Sequence, residues 1–182
     1  MAIAAAKRFD PFADRTARDI RNSLSGSFAV AIAAMDPDKY LSVARRWREQ
    51  NLFQIYSDYI ADRLLRYDQV LQTIRAGGIN EPLKQALVVW NQSLFFEFHE
   101  HLESLWRSAS GDQREALKGL IKAAGVYIHL EQHHRKAAES LAIKSFNLLR
   151  QYGHCLTFIA NFGILLDRLN KLDPAAPRLE IS

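Results

Sequence analysis

Histidines and glutamates are concentrated in one segment of this 182-residue chain. Five of the six histidines lie between positions 99 and 134, close to three glutamates. These residues are His99, His101, His129, His133, His134, Glu97, Glu100 and Glu103. On a helix, residues four positions apart face the same way, which brings His99 towards Glu103 and His129 towards His133. Imidazole and carboxylate groups at this spacing can share a divalent metal ion or move a proton.

Four of these residues are the candidate catalytic groups, and we call them the Glu/His cluster: Glu97, His99, Glu100 and Glu103. Glu100 or Glu103 would act as the general base. An imidazole, from His99 or His129, would orient that base or hold a metal-bound water. The candidate metal ligands are His99, Glu103 and His129, and the cofactor that they would take is a divalent metal ion. The alternative is a polar network that fixes helix packing, because an enclosed carboxylate must be paired, hydrogen-bonded, protonated or bound to metal.

The spacing excludes two common helical metal motifs. A ferritin-like di-iron centre needs two copies of Glu-x-x-His, which the chain does not contain. The zinc motif His-Glu-x-x-His is absent at the start of the segment, because the residue four positions after His99 is Glu103. A metal bound here would have a different set of ligands.

The elements that must position the cluster are helices, because apolar residues recur at three- and four-residue spacing. Asp-Pro pairs at 10–11 and 36–37 are typical helix starts, with aspartate as the cap and proline in the first turn. Asp112-x-x-Glu115 resembles a capping box at another start. The predicted helices are about 11–34, 37–50, 52–77, 81–109, 112–133, 135–152 and 154–172.

These helices predict an all-α fold, a single-domain multi-helix bundle of about seven helices. Its centre is a polar helix pair, about 81–109 and 112–133. We expect one domain over residues 1–172, with N-terminal helices, a core and C-terminal helices at 11–80, 81–138 and 139–172. Residues 173–182 contain two prolines and are expected to form a loose tail.

The charge of the chain argues against nucleic acid as a partner. The net charge is +4, and basic and acidic residues are mixed along the whole sequence. The densest basic cluster, Arg45, Arg46 and Arg48, is followed at once by Glu49. Nucleic-acid binders usually concentrate positive charge on one surface, so a solvated helix face is the better interpretation.

Cys155 is the single cysteine, which excludes an intramolecular disulfide framework and a multi-cysteine zinc site. We do not expect its neighbour His154 to activate it, because adjacent helical residues point about 100° apart, and we interpret Cys155 as a buried small residue. Lys7 and Arg8 follow a short apolar stretch, the reverse of the order in a signal peptide. Apolar runs fall short of the roughly 20 residues of a membrane span. We therefore expect a soluble, cytoplasmic protein without a membrane partner.

Two blocks of this region follow a known pattern. The first is an aromatic residue, Glu, any residue, His-Glu, two residues, Glu, two residues and Trp, matched in order by Phe96, Glu97, His99, Glu100, Glu103 and Trp106. The second contains Arg114, then Gly119-Leu120-Ile121, then His129. In these blocks the chain resembles the domain-of-unknown-function 309 family of small bacterial and archaeal helical proteins, over about residues 90–138. Lys122 departs from the pattern, because the family commonly has an amide there.

The resemblance implies an all-helical fold without an established reaction, and it adds Trp106, Arg114 and His129 as candidate binding residues. Our first interpretation is a cytoplasmic binding or regulatory module in which the Glu/His cluster fixes helix packing. An outer apolar surface would then meet a protein partner or a second copy of the chain. The alternative is a metal-assisted or acid–base hydrolase, in which antiparallel helices bring His129 to the cluster. A second alternative is nucleic-acid binding through the arginine-bearing N-terminal helices, with a salt-dependent affinity.

Overall fold

Helices account for 75% of the residues that the structure describes. The structure, a computed structural model, describes residues 8–182, so the first seven residues of the predicted domain, Lys7 among them, lie outside the described residues. In the described range the α-helices are α1 (Arg15–Ala34), α2 (Asp38–Arg48), α3 (Gln54–Gly77), α4 (Pro82–Asn91), α5 (Phe95–Ser108), α6 (Gly111–Glu131), α7 (Arg135–Tyr152) and α8 (Phe162–Lys171). A short 3-10 helix, Gly153–Cys155, follows α7. The predicted all-α, multi-helix fold is confirmed.

The structure divides into two compact units, Met1–Gln72 and Thr73–Ser182, with the boundary inside α3. We call them the N-terminal unit and the C-terminal unit. The Glu/His cluster lies wholly in the C-terminal unit. A single domain over residues 1–172 stays a prediction. No helix in the described part of the chain combines the length and the apolar composition that crossing a bilayer requires.

Aromatic stacking organises the N-terminal unit. The rings of Phe28 in α1 and Tyr67 in α3 are stacked, with centroids 3.9 Å apart. Tyr40 of α2 meets Tyr67 edge-on at 5.4 Å. All three side chains are buried, so the unit closes over a core of aromatic rings.

The predicted start of the first helix, at residue 11, is wrong. α1 begins at Arg15, because the Asp14 carboxylate accepts hydrogen bonds from two backbone N–H groups of the first turn, at 2.9 and 3.3 Å. Asp10 instead stabilises a turn before the helix, where its carboxylate accepts from the backbone N–H of Phe12 at 2.9 Å. Asp10 therefore stabilises the turn, and Asp14 is the residue that caps the helix.

The arginines Arg45, Arg46 and Arg48 lie in the last turn of α2 and are exposed. Positive side chains are favourable there, because they face the negative end of the helix dipole. Their positions agree with the prediction of a solvated helix face.

The long helix predicted to begin near residue 81 is two helices. α4 ends at Asn91, Ser93 adopts the left-handed backbone conformation with φ of 54°, and α5 begins at Phe95. The backbone N–H of Ser93 donates to the carbonyl oxygen of Trp90 at 2.8 Å, which closes the end of α4. Asn and Ser are weak helix formers, and the break carries neither the glycine nor the proline that marks most helix ends.

α5 and α6 pack as the predicted antiparallel pair. The Phe95 ring at the start of α5 lies 5.1 Å from the Tyr127 ring near the end of α6. At the other end, Trp106 of α5 meets Arg114 of α6. These two contacts set the register, in which a residue of α5 lies level with the residue of α6 whose number adds to its own to give about 221.

The predicted capping box at Asp112 is wrong. α6 begins at Gly111, and the preceding Ser110 makes no side-chain capping hydrogen bond. The hydrogen bond seen at the Glu115 carboxylate comes from the Lys118 ammonium, at 3.2 Å.

A glycine brings α6 and α7 close together. A Cβ atom added to Gly119 would lie 2.7 Å from Cδ2 of Leu149, well inside van der Waals contact. The Ser145 hydroxyl of α7 also donates to the Gly119 carbonyl oxygen at 2.8 Å. The crossing of α6 and α7 is therefore fixed by a small residue and a buried hydrogen bond.

The last predicted helix, over 154–172, is shorter in the structure. Residues 153–155 form the 3-10 helix, and α8 begins only at Phe162. A Cβ atom at Gly153 would lie 2.4 Å from Cε1 of Phe162, so the 3-10 helix and α8 are in close contact at a position where only glycine fits.

The expectation of a loose tail after residue 172 is also wrong. The Trp90 indole N–H donates to the carbonyl oxygen of Pro177 at 2.8 Å. Asn91 and Leu179 exchange two hydrogen bonds, of 2.7 and 2.8 Å. Pro177 and Leu179 are buried, so this segment completes the core of the C-terminal unit.

Candidate functional site

α5 carries the whole Glu/His cluster, and the turns of this helix place its four side chains at different depths. Glu97, in the first turn, is buried, with 3% of its surface exposed. His99 and Glu103 are half-buried, and Glu100 is exposed. The cluster is therefore not sealed inside the protein; it runs from the interior to the surface along one helix.

Three residues of the cluster bring their polar atoms together. His99 Nε2 lies 4.0 Å from Oε1 of Glu103, as expected for residues four positions apart. His99, Glu100 and Glu103 each offer one ligand atom, and these atoms lie within 4.8 Å of one another. The other carboxylate oxygen of Glu103 lies 3.5 Å from Nη2 of Arg107. The spacing seen in the sequence is thus realised as a cluster of converging ligand atoms.

The polar contacts of these three side chains are confined to their own helix. Among the described residues, the hydrogen bonds and ion pairs of His99, Glu100 and Glu103 involve only partners on α5. A network that fixes helix packing must join one helix to another. These three residues do not form such a network.

The contact that does join α5 to α6 is made by two of the predicted binding residues. The Cζ atom of Arg114 lies 4.2 Å from the centroid of the Trp106 ring, in a cation–π arrangement. Arg114 also donates from Nη1 to the carbonyl oxygen of Ala109 at 3.4 Å. Trp106 and Arg114 therefore have a visible structural role at the closed end of the helix pair.

His129, the third predicted binding residue, lies at the opposite end of α6. Its Nδ1 is 3.4 Å from Nδ1 of His134. Burial, followed by repulsion from His134, lowers the pKa of His129 below its ordinary value. The register places His129 opposite the turn between α4 and α5. Among the described residues, the converging group on α5 does not include His129, so the predicted ligand set of His99, Glu103 and His129 is not the arrangement of this structure.

Lys122 lies level with His99 along the pair of α5 and α6, but it is three residues from Gly119 and from Gly125, which both face α7. Its side chain is half-buried. Among the described residues its ammonium group has neither a hydrogen bond nor an ion pair. A positive charge in this state is available to an anionic ligand.

A second group of converging ligand atoms was not foreseen from the sequence. Asp112, His154 and Cys155 also offer one ligand atom each within 4.8 Å of one another. Our interpretation of Cys155 as a buried residue turned away from His154 is wrong, since Cys155 is partly exposed and belongs to the same group. The adjacent histidine and cysteine were the available signal, and Asp112 is too distant in sequence to be associated with them.

Comparison with known proteins gives one result. Residues 83–141 match the family model described as "Domain of unknown function (DUF309)". The matched segment contains α5 and α6 with the whole Glu/His cluster, which confirms the resemblance seen in the sequence. No curated protein and no solved structure matches the chain.

Proposed function

We propose that the DUF309-matching segment binds a divalent metal ion through His99, Glu100 and Glu103, and that the chain acts as a metal-dependent binding module. The observation that carries this proposal is the convergence of one imidazole and two carboxylates within 4.8 Å, on a side of α5 that solvent reaches. A cytoplasmic location, predicted from the single cysteine, completes the proposal.

The distances suit a shared ion. Zinc–nitrogen and zinc–oxygen bonds are about 2.0–2.2 Å long, so two ligand atoms on one ion lie roughly 3–4 Å apart. The 4.0 Å between His99 and Glu103 is at the upper end of this range, and a small side-chain rotation brings both atoms into position. The same separation is too long for a direct hydrogen bond between the two side chains.

The composition of the site indicates the kind of ion. Two carboxylates carry two negative charges, which a divalent cation neutralises. Ligands with one nitrogen and several oxygen atoms suit Mn²⁺, Fe²⁺ and Zn²⁺. Three ligands from one helix leave coordination positions open for water or for an anionic molecule.

An open position gives the site two uses. A metal-bound water has a lowered pKa and can serve as a nucleophile, which is the chemistry of a metal-assisted hydrolase. An anionic group can occupy the same open position, where the positive charge of the ion attracts it. We therefore propose an anionic small molecule or side chain as the second ligand of the ion.

The proposal is tested by Mn²⁺ binding to the full chain, prepared without a histidine tag, freed of metal with a chelator and carrying Cys155→Ser. Mn²⁺ prefers oxygen and nitrogen ligands to sulfur, and the background variant removes the only thiol. We expect Mn²⁺ to raise the melting temperature, because a ligand at one hundred times its Kd stabilises the folded state by about 2.7 kcal/mol. Calorimetry or paramagnetic resonance gives the affinity directly.

The matched variants are Glu103→Gln and Glu139→Gln. Each loses one carboxylate and one ion pair with an arginine four positions away on the same helix. We expect Glu103→Gln to weaken Mn²⁺ binding at least about tenfold, and Glu139→Gln to leave it unchanged. Equal affinities in the two variants, or no binding by the parent protein, would overturn the proposal.

A further inference from the structure

We propose that Asp112, His154 and Cys155 form a second metal site, selective for a thiophilic divalent ion such as Zn²⁺ or Co²⁺. This site shares no residue with the cluster on α5 and does not depend on it. Its ligands come from two segments that are far apart in sequence: the first turn of α6 and the 3-10 helix after α7.

The three side chains meet at one point on the surface. His154 Nε2 lies 3.6 Å from Oδ2 of Asp112. One ligand atom of each residue, the Cys155 sulfur included, lies within 4.8 Å of the others. The 3.6 Å separation falls inside the range of about 3–4 Å expected for two atoms bound to the same ion.

Buried contacts hold the two segments together without help from these side chains. Gly119 of α6 allows Leu149 of α7 to approach within van der Waals distance, and the Ser145 hydrogen bond fixes the same crossing. At the end of α7, Gly153 allows Phe162 to pack directly on the backbone of the 3-10 helix. The backbone positions of His154 and Cys155 beside the start of α6 are therefore set by the core, as a metal site requires.

The ligand types distinguish this site from the one on α5. A thiolate, an imidazole and a carboxylate are all zinc ligands, and three protein ligands with an open fourth position are typical of reactive zinc sites. Thiolate sulfur favours Zn²⁺ and Co²⁺ over Mg²⁺ and Mn²⁺, whereas the α5 cluster contains no sulfur. Binding replaces the proton of the Cys155 thiol with the metal ion and releases that proton to solvent, so the affinity should fall as the pH is lowered.

Cobalt makes the test specific, because a Co²⁺–thiolate bond produces an intense charge-transfer band in the near ultraviolet. Cys155 is the only cysteine, so such a band reports this site alone. We expect one equivalent of Co²⁺ to produce the band in the reduced full-length protein, and Zn²⁺ to displace Co²⁺ and abolish it. No band in the parent protein overturns the proposal.

Single variants separate a three-ligand site from a thiol that binds metal by itself. Cys155→Ser should lose the band, and His154→Gln and Asp112→Asn should each weaken Co²⁺ binding at least about tenfold. His133→Gln, which removes another exposed histidine, should bind Co²⁺ like the parent. Full affinity in both His154→Gln and Asp112→Asn would show binding by the thiol alone and overturn the proposal.

Two further measurements complete the test. Asp112 and His154 are exposed, and unchanged far-ultraviolet circular dichroism will establish that their variants fold. A Cys155 thiolate shared between two chains would give a band that depends on protein concentration. We expect the band per mole of protein to be the same across a tenfold dilution above Kd, and a band that appears only in a dimer contradicts the site.

Discussion

The guanidinium of Arg114 lies over the ring of Trp106 at 4.2 Å, and this contact joins the last turns of α5 to the first turns of α6. A cation–π contact at a partly exposed position contributes about 0.5–1 kcal/mol, and more where water is excluded. We expect Arg114→Ala to lower the free energy of unfolding by about 1–2 kcal/mol. Arg114→Lys should have a smaller effect, because an ammonium retains the charge but not the planar stacking surface.

Denaturant unfolding measures these changes, with Arg135→Ala as the control. Arg135 is an exposed arginine of α7 whose partner is Glu139, four residues away on the same helix. Pairs of this kind contribute about 0.3–0.5 kcal/mol. A loss in Arg114→Ala no larger than in Arg135→Ala would mean that the stacking contact contributes nothing to stability.

Gly119 and Gly26 provide a matched pair of helical glycines. Gly119→Ala forces a Cβ atom to within 2.7 Å of Leu149, and overpacking of this kind costs about 1–3 kcal/mol. Gly26→Ala places its Cβ where no other atom lies within 4 Å, so the better helix propensity of alanine should raise stability by about 0.5–1 kcal/mol. Thermal unfolding of the two variants should move in opposite directions, and a stabilised Gly119→Ala would contradict the close crossing of α6 and α7.

Two half-buried histidines predict that stability falls below neutral pH. Burial lowers the pKa of both His101 and His129, with His134 adding to the effect at His129. Below about pH 6.5 the unfolded chain then takes up protons that the folded protein resists, so the free energy of unfolding decreases as the pH falls from 7.5 to 5.5. His129→Gln should reduce this pH dependence. Parallel curves for the parent and His129→Gln would exclude His129 as a contributor.

Tyr127 and Trp90 belong to the same aromatic cluster, with ring centroids 5.4 Å apart, yet they should respond differently to substitution by phenylalanine. The Tyr127 hydroxyl is buried and has no hydrogen-bond partner among the described residues. Burial raises the pKa of Tyr127, the Asp173 carboxylate raises it further, and Arg168 opposes the change. Removing this hydroxyl should leave stability unchanged or raise it by up to about 1 kcal/mol.

Trp90→Phe removes the indole N–H that reaches the carbonyl of Pro177. It also leaves space beside Phe95 and Phe98, whose ring centroids lie 5.0 Å from that of Trp90. We expect a loss of about 2–4 kcal/mol from the unpaired carbonyl and the cavity together. Equilibrium unfolding in urea compares Trp90→Phe with Tyr127→Phe. An equal loss in free energy of unfolding would mean that the Tyr127 hydroxyl makes a hydrogen bond.

The sequence predicted the helices well because their signals are local. Apolar spacing and the position of Gly77 located α3, and the same periodicity located α6 and α7. The break at Ser93 was not predicted, because the sequence does not distinguish a serine in the left-handed conformation from a serine within a helix. The cap at Asp14 was not predicted either, because the Asp-Pro pair at 10–11 is an equally good signal for a helix start one turn earlier.

Local sequence patterns predicted only part of the candidate site. The approach of His99 to Glu103 follows from helix geometry and was predicted, and its 4.0 Å separation agrees. The distance of His129 from the cluster depends on the register of α5 against α6, which places His129 level with the turn before Phe95. The proximity of Asp112 and His154 depends on how α6 and α7 cross, and no local sequence pattern predicts that crossing.

The hydrogen bonds from Trp90 and Asn91 to the segment around Leu179 also determine when the C-terminal unit can be completed. Their partners are 87 and 88 residues apart in the chain. At a synthesis rate of about 5–20 residues per second, α4 waits roughly 4–18 s after it is made before residues 177–179 are translated. During that interval a nascent chain presents the Trp90 indole and the neighbouring aromatic rings to solvent. The step that finishes this unit is therefore late and long-range, and the waiting chain is the form of the protein most exposed to aggregation and to chaperone binding.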